Sequence, residues 1–182
     1  MSGENSKQVI IHDHSTRTIA VFCLLIKKKV MKHLKIGDAA PQFNSIDQNA
    51  ESIALSDFTG KKVIVYFYPQ DDTPTCTKEA CNLRDNYTTL QEKGYEVVGI
   101  SPDPVKKHKK FVDKYSLPFR LAVDEDHKIA EAFGVWGLKK FMGREYDGIH
   151  RTTFLIDEKG IIENIIEDVK SAQHAQQILD SK

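Results

Sequence analysis

Residues 63–84 read VIVYFYPQDDTPTCTKEACNLR. Val63, Ile64, Val65, Tyr66, Phe67 and Tyr68 form an unbroken run of β-branched and aromatic side chains, the composition of a strand buried on both faces. Pro69 ends the run. Asp71-Asp72-Thr73-Pro74 opens a helix, with Thr73 as N-cap and Pro74 at the first helical position. Cys76 falls in the first turn of that helix and Cys81 five residues further on. Orphan N–H groups and the helix dipole favour negative charge in a first turn. A thiol there is biased towards thiolate, the nucleophilic form. The plain alternative is an inert core cysteine. The strand-to-helix position, the threonines at 73, 75 and 77, and the second thiol argue against it.

Downstream, Gly94 is a natural helix terminator, and residues 95–101 (YEVVGIS) form a second strand. A strand, a helix and a strand in this order predict a right-handed crossover and parallel pairing. Pro102-Asp103-Pro104 opens a helix over residues 105–115. Its KKHKK run, residues 106–110, reads as a solvated face, with a partner-docking patch as the alternative. A short strand follows at 120–123, then a short helix at 126–133 stopped by Gly134. Strands at 151–157 and 161–167 pair across Glu158-Lys159-Gly160. Ser171 caps a last helix running to about Leu179.

Upstream, residues 43–46 and 52–55 suit a small hairpin around Asp47-Gln48-Asn49, and residues 56–60 suit a turn. The order predicts an α/β domain, a mixed central sheet with helices on both faces. Residues 1–33 differ from the rest: a polar start, an eight-residue apolar run at 19–26, and Lys27, Lys28 and Lys29. The run is far too short to span a bilayer. The lysines stand where a signal peptide needs small residues. The division expected is an N-terminal extension over 1–33 and one domain over 34–182. Cys23, in the extension, is assigned no role.

The 182 residues carry 26 Lys+Arg and 26 Asp+Glu, a net charge of zero. No basic field recruits nucleic acid or an acidic membrane surface. Three cysteines are too few for a disulfide scaffold. They also lack the paired ligand spacing of structural zinc, and the seven histidines are scattered. His12-Asp13-His14 reads as solvated. Gly94, Gly99 and Gly134 form no dinucleotide fingerprint, so no flavin or nicotinamide cofactor is expected. Reduced thiols suit a cytoplasmic setting.

Pro69-x-x-x-Thr73-x-x-Cys76 resembles the active-site signature of peroxiredoxins. Its continuation, Cys76-Thr77-Lys78-Glu79-Ala80-Cys81, resembles the peroxiredoxin Q type, the bacterioferritin comigratory proteins. A second block fits the same group: Phe133-Gly-Val-Trp136-Gly137, then Tyr146-Asp-Gly148-Ile149-His-Arg151-Thr-Thr153-Phe154. The resemblance covers residues from about Leu34 onward and implies a thioredoxin-like fold. It also implies a thiol peroxidase in antioxidant defence, recycled by thioredoxin or a similar dithiol, in a group whose members are often monomers, with dimers known.

The same resemblance assigns roles. Cys76 attacks the peroxide and becomes a sulfenic acid, and Cys81 resolves it as a disulfide. Thr73 hydrogen-bonds thiolate and peroxide. Pro69 walls the pocket. Arg151 supplies a permanent positive charge with several donors in one plane; by position alone it is equally a surface ion-pair residue. Glu79, one turn beyond Cys76, is expected either to orient Arg151 or Arg84 or to form a surface ion pair. Trp136 is expected to pack. A disulfide reductase would show Cys-x-x-Cys instead. A binding module on this fold has no need of two thiols, whereas a peroxide sensor or holdase would use the same ones.

Overall fold

A computed structural model describes residues 33–181. The segment 1–32, with the histidine pair at 12 and 14, the apolar run and Cys23, lies outside the described residues, as does Lys182.

The apolar run beginning at Val63 is the central strand. β3 (Lys62–Phe67) pairs in parallel with β4 (Tyr95–Ser101), which pairs in parallel with β5 (Arg120–Val123). On its other side β3 pairs antiparallel with β8 (Thr152–Ile156), and β8 with β9 (Ile162–Ile166). The mixed sheet therefore has the order β5-β4-β3-β8-β9. Alternation along the central strand divides the core. Val63, Val65 and Phe67 join a cluster with Phe133, Phe154 and Ile162 on one face. Ile64, Tyr66 and Tyr68 join Cys76, Leu83, Phe111, Leu121 and Ile178 on the other. A strand covered on both faces needs apolar side chains at every position, which is what its sequence shows.

Helices α1 (Pro74–Asp85), α2 (Tyr87–Glu92), α3 (Val105–Tyr115) and α5 (His174–Leu179) contribute to the second cluster. α4 (Lys128–Ala132) contributes Ile129 and Ala130 to the first. Gly99, in β4, is required by packing: a Cβ there would lie 2.7 Å from the Tyr66 ring and hydroxyl and from Leu121. A small hairpin, β1 (Asn44–Ile46) with β2 (Ser52–Ala54), precedes a 3-10 turn over Leu55–Phe58. Among the described residues no helix is long and apolar enough to cross a membrane.

Four features differ from the sequence expectations. The cysteine helix is interrupted at Asn86, whose side-chain amide donates to the Asn82 carbonyl at 2.8 Å and so takes over an acceptor at the end of α1. The last helix begins at His174, and Ser171 does not cap it. Instead the Ala175 N–H donates to Asn82 Oδ1 at 2.8 Å, a cap supplied by α1. The helix after β5 is shorter than residues 126–133 because His127 takes a left-handed conformation, φ 60°. Within its first turn the N–H groups of Ile129 and Ala130 donate to Asp124 at 2.9 and 2.8 Å, and that of Lys128 donates to Asp126 at 3.3 Å.

Finally, β6 (Trp136–Phe141) and β7 (Arg144–Ile149) form an unanticipated hairpin. Its turn residues are Met142 and Gly143, φ 49° and 77°. Two positive φ values suit a tight hairpin, but Met-Gly lacks the usual Asn-Gly signature.

Candidate active site

The site is assembled where the C-terminal end of β3 meets the start of α1 and the start of β8. Thr73 has the extended backbone of an N-cap and Pro74 follows at the first helical position. The capping itself does not use the threonine side chain. The Thr73 hydroxyl donates to the Gln70 carbonyl at 3.2 Å. Pro69 is exposed at the bend after β3.

Both described cysteines are free thiols. Cys76 is 1 % exposed, whereas Cys81 is partly exposed one and a half turns along the same helix. Arg151, just before β8, donates from Nη2 to Cys76 Sγ at 3.1 Å. Nη1 of the same guanidinium is bonded to Glu79 Oε2. The planar fork thus spans thiol and carboxylate at once, a geometry that an ammonium lacks. Glu79 is fully buried, so the surface ion pair is excluded, and Arg151 is its partner. Arg84 instead binds Asp85 and the Tyr115 carbonyl. Trp136 lies outside this cluster, its ring stacked 3.7 Å from that of His127.

Two buried histidines were not read from the sequence. His108, inside the KKHKK run, is not on a solvated face: it is fully buried. Its Nδ1 lies 2.8 Å from Asp71 Oδ2 and its Nε2 3.3 Å from the Ala122 carbonyl. The Tyr68 hydroxyl donates to Asp71 Oδ1 at 2.6 Å; burial pushes that phenol well above its ordinary range, so it stays a donor. The Asp71 N–H donates to Asp103 Oδ2 at 2.6 Å, and Asp103 also accepts from Ser101 and Lys107. This network fixes the loop that carries Pro69 and Thr73. A signal for it exists: Val105, His108, Phe111, Val112 and Tyr115 follow the spacing of a buried helix stripe.

The second is His174, in α5. It is fully buried, with Nε2 2.9 Å from Thr153 Oγ1 and Nδ1 3.2 Å from Glu79 Oε1. Nothing local in the sequence connects residue 174 with residue 79.

The comparisons with known proteins agree with one another. Residues 36–165 match the AhpC/TSA family. Peroxiredoxin Bcp of Escherichia coli K12 is 50% identical over 150 residues, 82% of this chain and 96% of that protein. Peroxiredoxin Bcp of Bacillus subtilis 168 is 45% identical over 148 residues, 81% and 94% of the two chains. Among solved structures, PrxQ of Xylella fastidiosa superposes with a TM-score of 0.76 at 30% identity, covering 82% of this chain and 95% of its own. The bacterioferritin comigratory protein of Xanthomonas campestris, in a structure concerned with its alkyl peroxide reduction activity, gives 0.71 at 31% identity, covering 75% and 87%. A mixed sheet flanked by helices, a thiol in a first helical turn beneath an arginine, and these relatives lead to one conclusion: the chain belongs to the AhpC/TSA family and is a thioredoxin-fold peroxiredoxin of the Bcp, or Q, type.

Proposed function

We propose that this thiol peroxidase reduces hydroperoxides through Cys76 and closes each cycle with a Cys76–Cys81 disulfide. The observation that carries this reading is the 3.1 Å hydrogen bond from Arg151 to the Cys76 sulfur at the start of α1. Anionic sulfur is stabilised there by the guanidinium and by the helix N-terminus. The thiolate attacks the terminal peroxide oxygen. An S–O bond forms, the O–O bond breaks, and its electron pair leaves on the distal oxygen, which takes a proton to become water or an alcohol. Negative charge grows on that oxygen during the step, and fixed donors such as Arg151 stabilise it. Thr73 keeps lone pairs available to accept the peroxide O–H, and Pro69 walls the approach.

Cys76 is left as a sulfenic acid. The Cys81 thiol condenses with it, forming the disulfide and releasing water. A thioredoxin-class dithiol then reduces the disulfide, is itself oxidised, and restores both thiols. The two cysteines share one unbroken helix. In such a helix their Cα atoms are roughly 8.6 Å apart, beyond the disulfide limit of about 7 Å. Disulfide formation therefore requires α1 to unwind, at least from Thr75 to about Leu83. The bonds of Asn82 to the Ala172 carbonyl and to the Ala175 N–H of α5 break at the same time. We assign the enzyme to the cytoplasm as a monomer, with residues 1–33 an extension outside the catalytic domain.

Coupled NADPH oxidation with thioredoxin, thioredoxin reductase and a panel of hydroperoxides tests the reading. Turnover that disappears in Cys76→Ser supports it. Absence of peroxide turnover, with insulin disulfide reduction present, would replace it with a disulfide reductase.

A further inference from the structure

The buried end of the site stops at His174. Glu79 Oε1 and His174 Nδ1 are both buried without a well-directed hydrogen bond to any group. They face each other at 3.2 Å. Glu79 Oε2 is occupied by Arg151. A buried carboxylate oxygen with no donor is costly, and the donor at hand is the imidazole.

One tautomer of the ring supplies that donor. Burial, reinforced by the Arg151 charge, lowers His174 to about 3, so the ring is neutral at pH 7 and carries a single N–H. Nε2 lies 2.9 Å from the Thr153 hydroxyl, which can donate to it. With Thr153 as the donor, the ring proton sits on Nδ1, towards Glu79. The residues then form one line: Thr153 in β8, His174 in α5, Glu79 in α1, Arg151 before β8, and the Cys76 sulfur.

We propose that His174 is a positioning residue for the peroxidase reaction: its Nδ1–H orients the Glu79 carboxylate, which in turn holds Arg151 Nη2 on the Cys76 sulfur. The proposal rests on Cys76 being the reacting thiol, as argued above. His174 touches neither sulfur nor peroxide. Its effect reaches the reaction through the alignment of a guanidinium, where misplacement by about 1 Å can cost on the order of 100-fold in rate.

The side chains of Asn and Gln separate the two ring nitrogens. An Asn amide nitrogen lies near the position of Nδ1, and a Gln amide nitrogen near that of Nε2. His174→Asn, His174→Gln and His174→Leu are compared in a Cys23→Ser, Cys81→Ser background. Two readouts are taken: the pH profile of Cys76 alkylation by iodoacetamide, and the single-turnover rate with hydrogen peroxide. Melting temperature reports folding. His174→Asn is expected to keep both close to the parent. His174→Gln and His174→Leu are expected to move the alkylation profile to higher pH and to slow peroxide reduction roughly 10- to 100-fold.

In an Arg151→Met background the same substitutions are expected to add nothing, because the group they position is gone. The proposal is overturned if Asn and Gln behave alike, if the alkylation profile stays put in His174→Leu, or if the effects persist without Arg151. Failure of the peroxidase reading looks different: the parent would not reduce peroxide, while the alkylation profile would still respond to His174.

Discussion

Two buried histidine–carboxylate contacts flank the cysteine helix, and they are built differently. Before the helix, both carboxylate oxygens of Asp71 have partners, Tyr68 and His108, and its N–H is held by Asp103. Both ring nitrogens of His108 face oxygens. Within the helix, Glu79 has one oxygen on Arg151, while its other oxygen faces a His174 nitrogen in poor geometry. A fully partnered buried network resists rearrangement, because every movement strands a polar group. An incompletely satisfied one gives way at lower cost. The molecule thus anchors the loop that presents Pro69 and Thr73 more completely than α1, the helix whose opening the proposed Cys76–Cys81 disulfide requires.

The largest effect is expected from removing the residue shared by thiol and carboxylate. Arg151→Met is expected to slow peroxide reduction by about 100-fold or more, the scale seen when a preorganised donor is lost. Arg151→Lys is expected to recover only part of it, since the planar fork is missing. Stopped-flow reduction of hydrogen peroxide measures both. A rate equal to the parent would remove Arg151 from the reaction.

On the anchored side the expected loss is stability. Asp71→Ala strands His108 and is expected to cost about 3 kcal/mol, read from urea unfolding. The cost should be the same in the reduced protein and in the form carrying the Cys76–Cys81 disulfide. A cost seen only in one of them would mean that this loop, too, moves with the redox state.

Amide exchange sharpens the contrast directly. On oxidation to the Cys76–Cys81 disulfide, protection is expected to fall across residues 77–83 and to persist through β3 and α3. Equal protection of 77–83 in both forms would refute the unwinding.

Acid probes the His174 contact. His174 lies at about 3 in the folded protein against an ordinary 6.5. Between these values the unfolded chain binds the proton and the folded chain does not, so stability falls as pH drops from about 6.5 towards 3 and is fully present above 6.5. The loss is bounded at about 5 kcal/mol. His174→Asn, with nothing to titrate, is expected to flatten that part of the curve in thermal melts across this range.

The smallest effect is expected from the extension. A protein starting at Met31 should keep its peroxidase rate and melting temperature, and a large fall in either would show that residues 1–30 pack on the domain.

The candidate site residues could be named from the chain because they fall in short, dense motifs. Pro69, Thr73, Cys76, Glu79 and Cys81 all lie within one strand-to-helix turn, and Arg151 sits in a second recognisable block. The two-sided burial of residues 63–68 likewise follows from composition alone. Local patterns of this kind carry their own physical meaning: a fixed φ at Pro74, a dipole at a helix start, an apolar run for a two-faced strand. Tertiary structure decided the rest. It chose Arg151 rather than Arg84 as the partner of Glu79, because β8 runs beside β3 and brings residue 151 over the first turn of α1. It capped α5 with Asn82, roughly ninety positions away in the chain, in place of Ser171. It buried His108 amid four lysines, and it set His174 behind Glu79. Each of these depends on contacts between elements distant in sequence. Helical and strand periodicities state which face of an element is covered, but not which residue covers it.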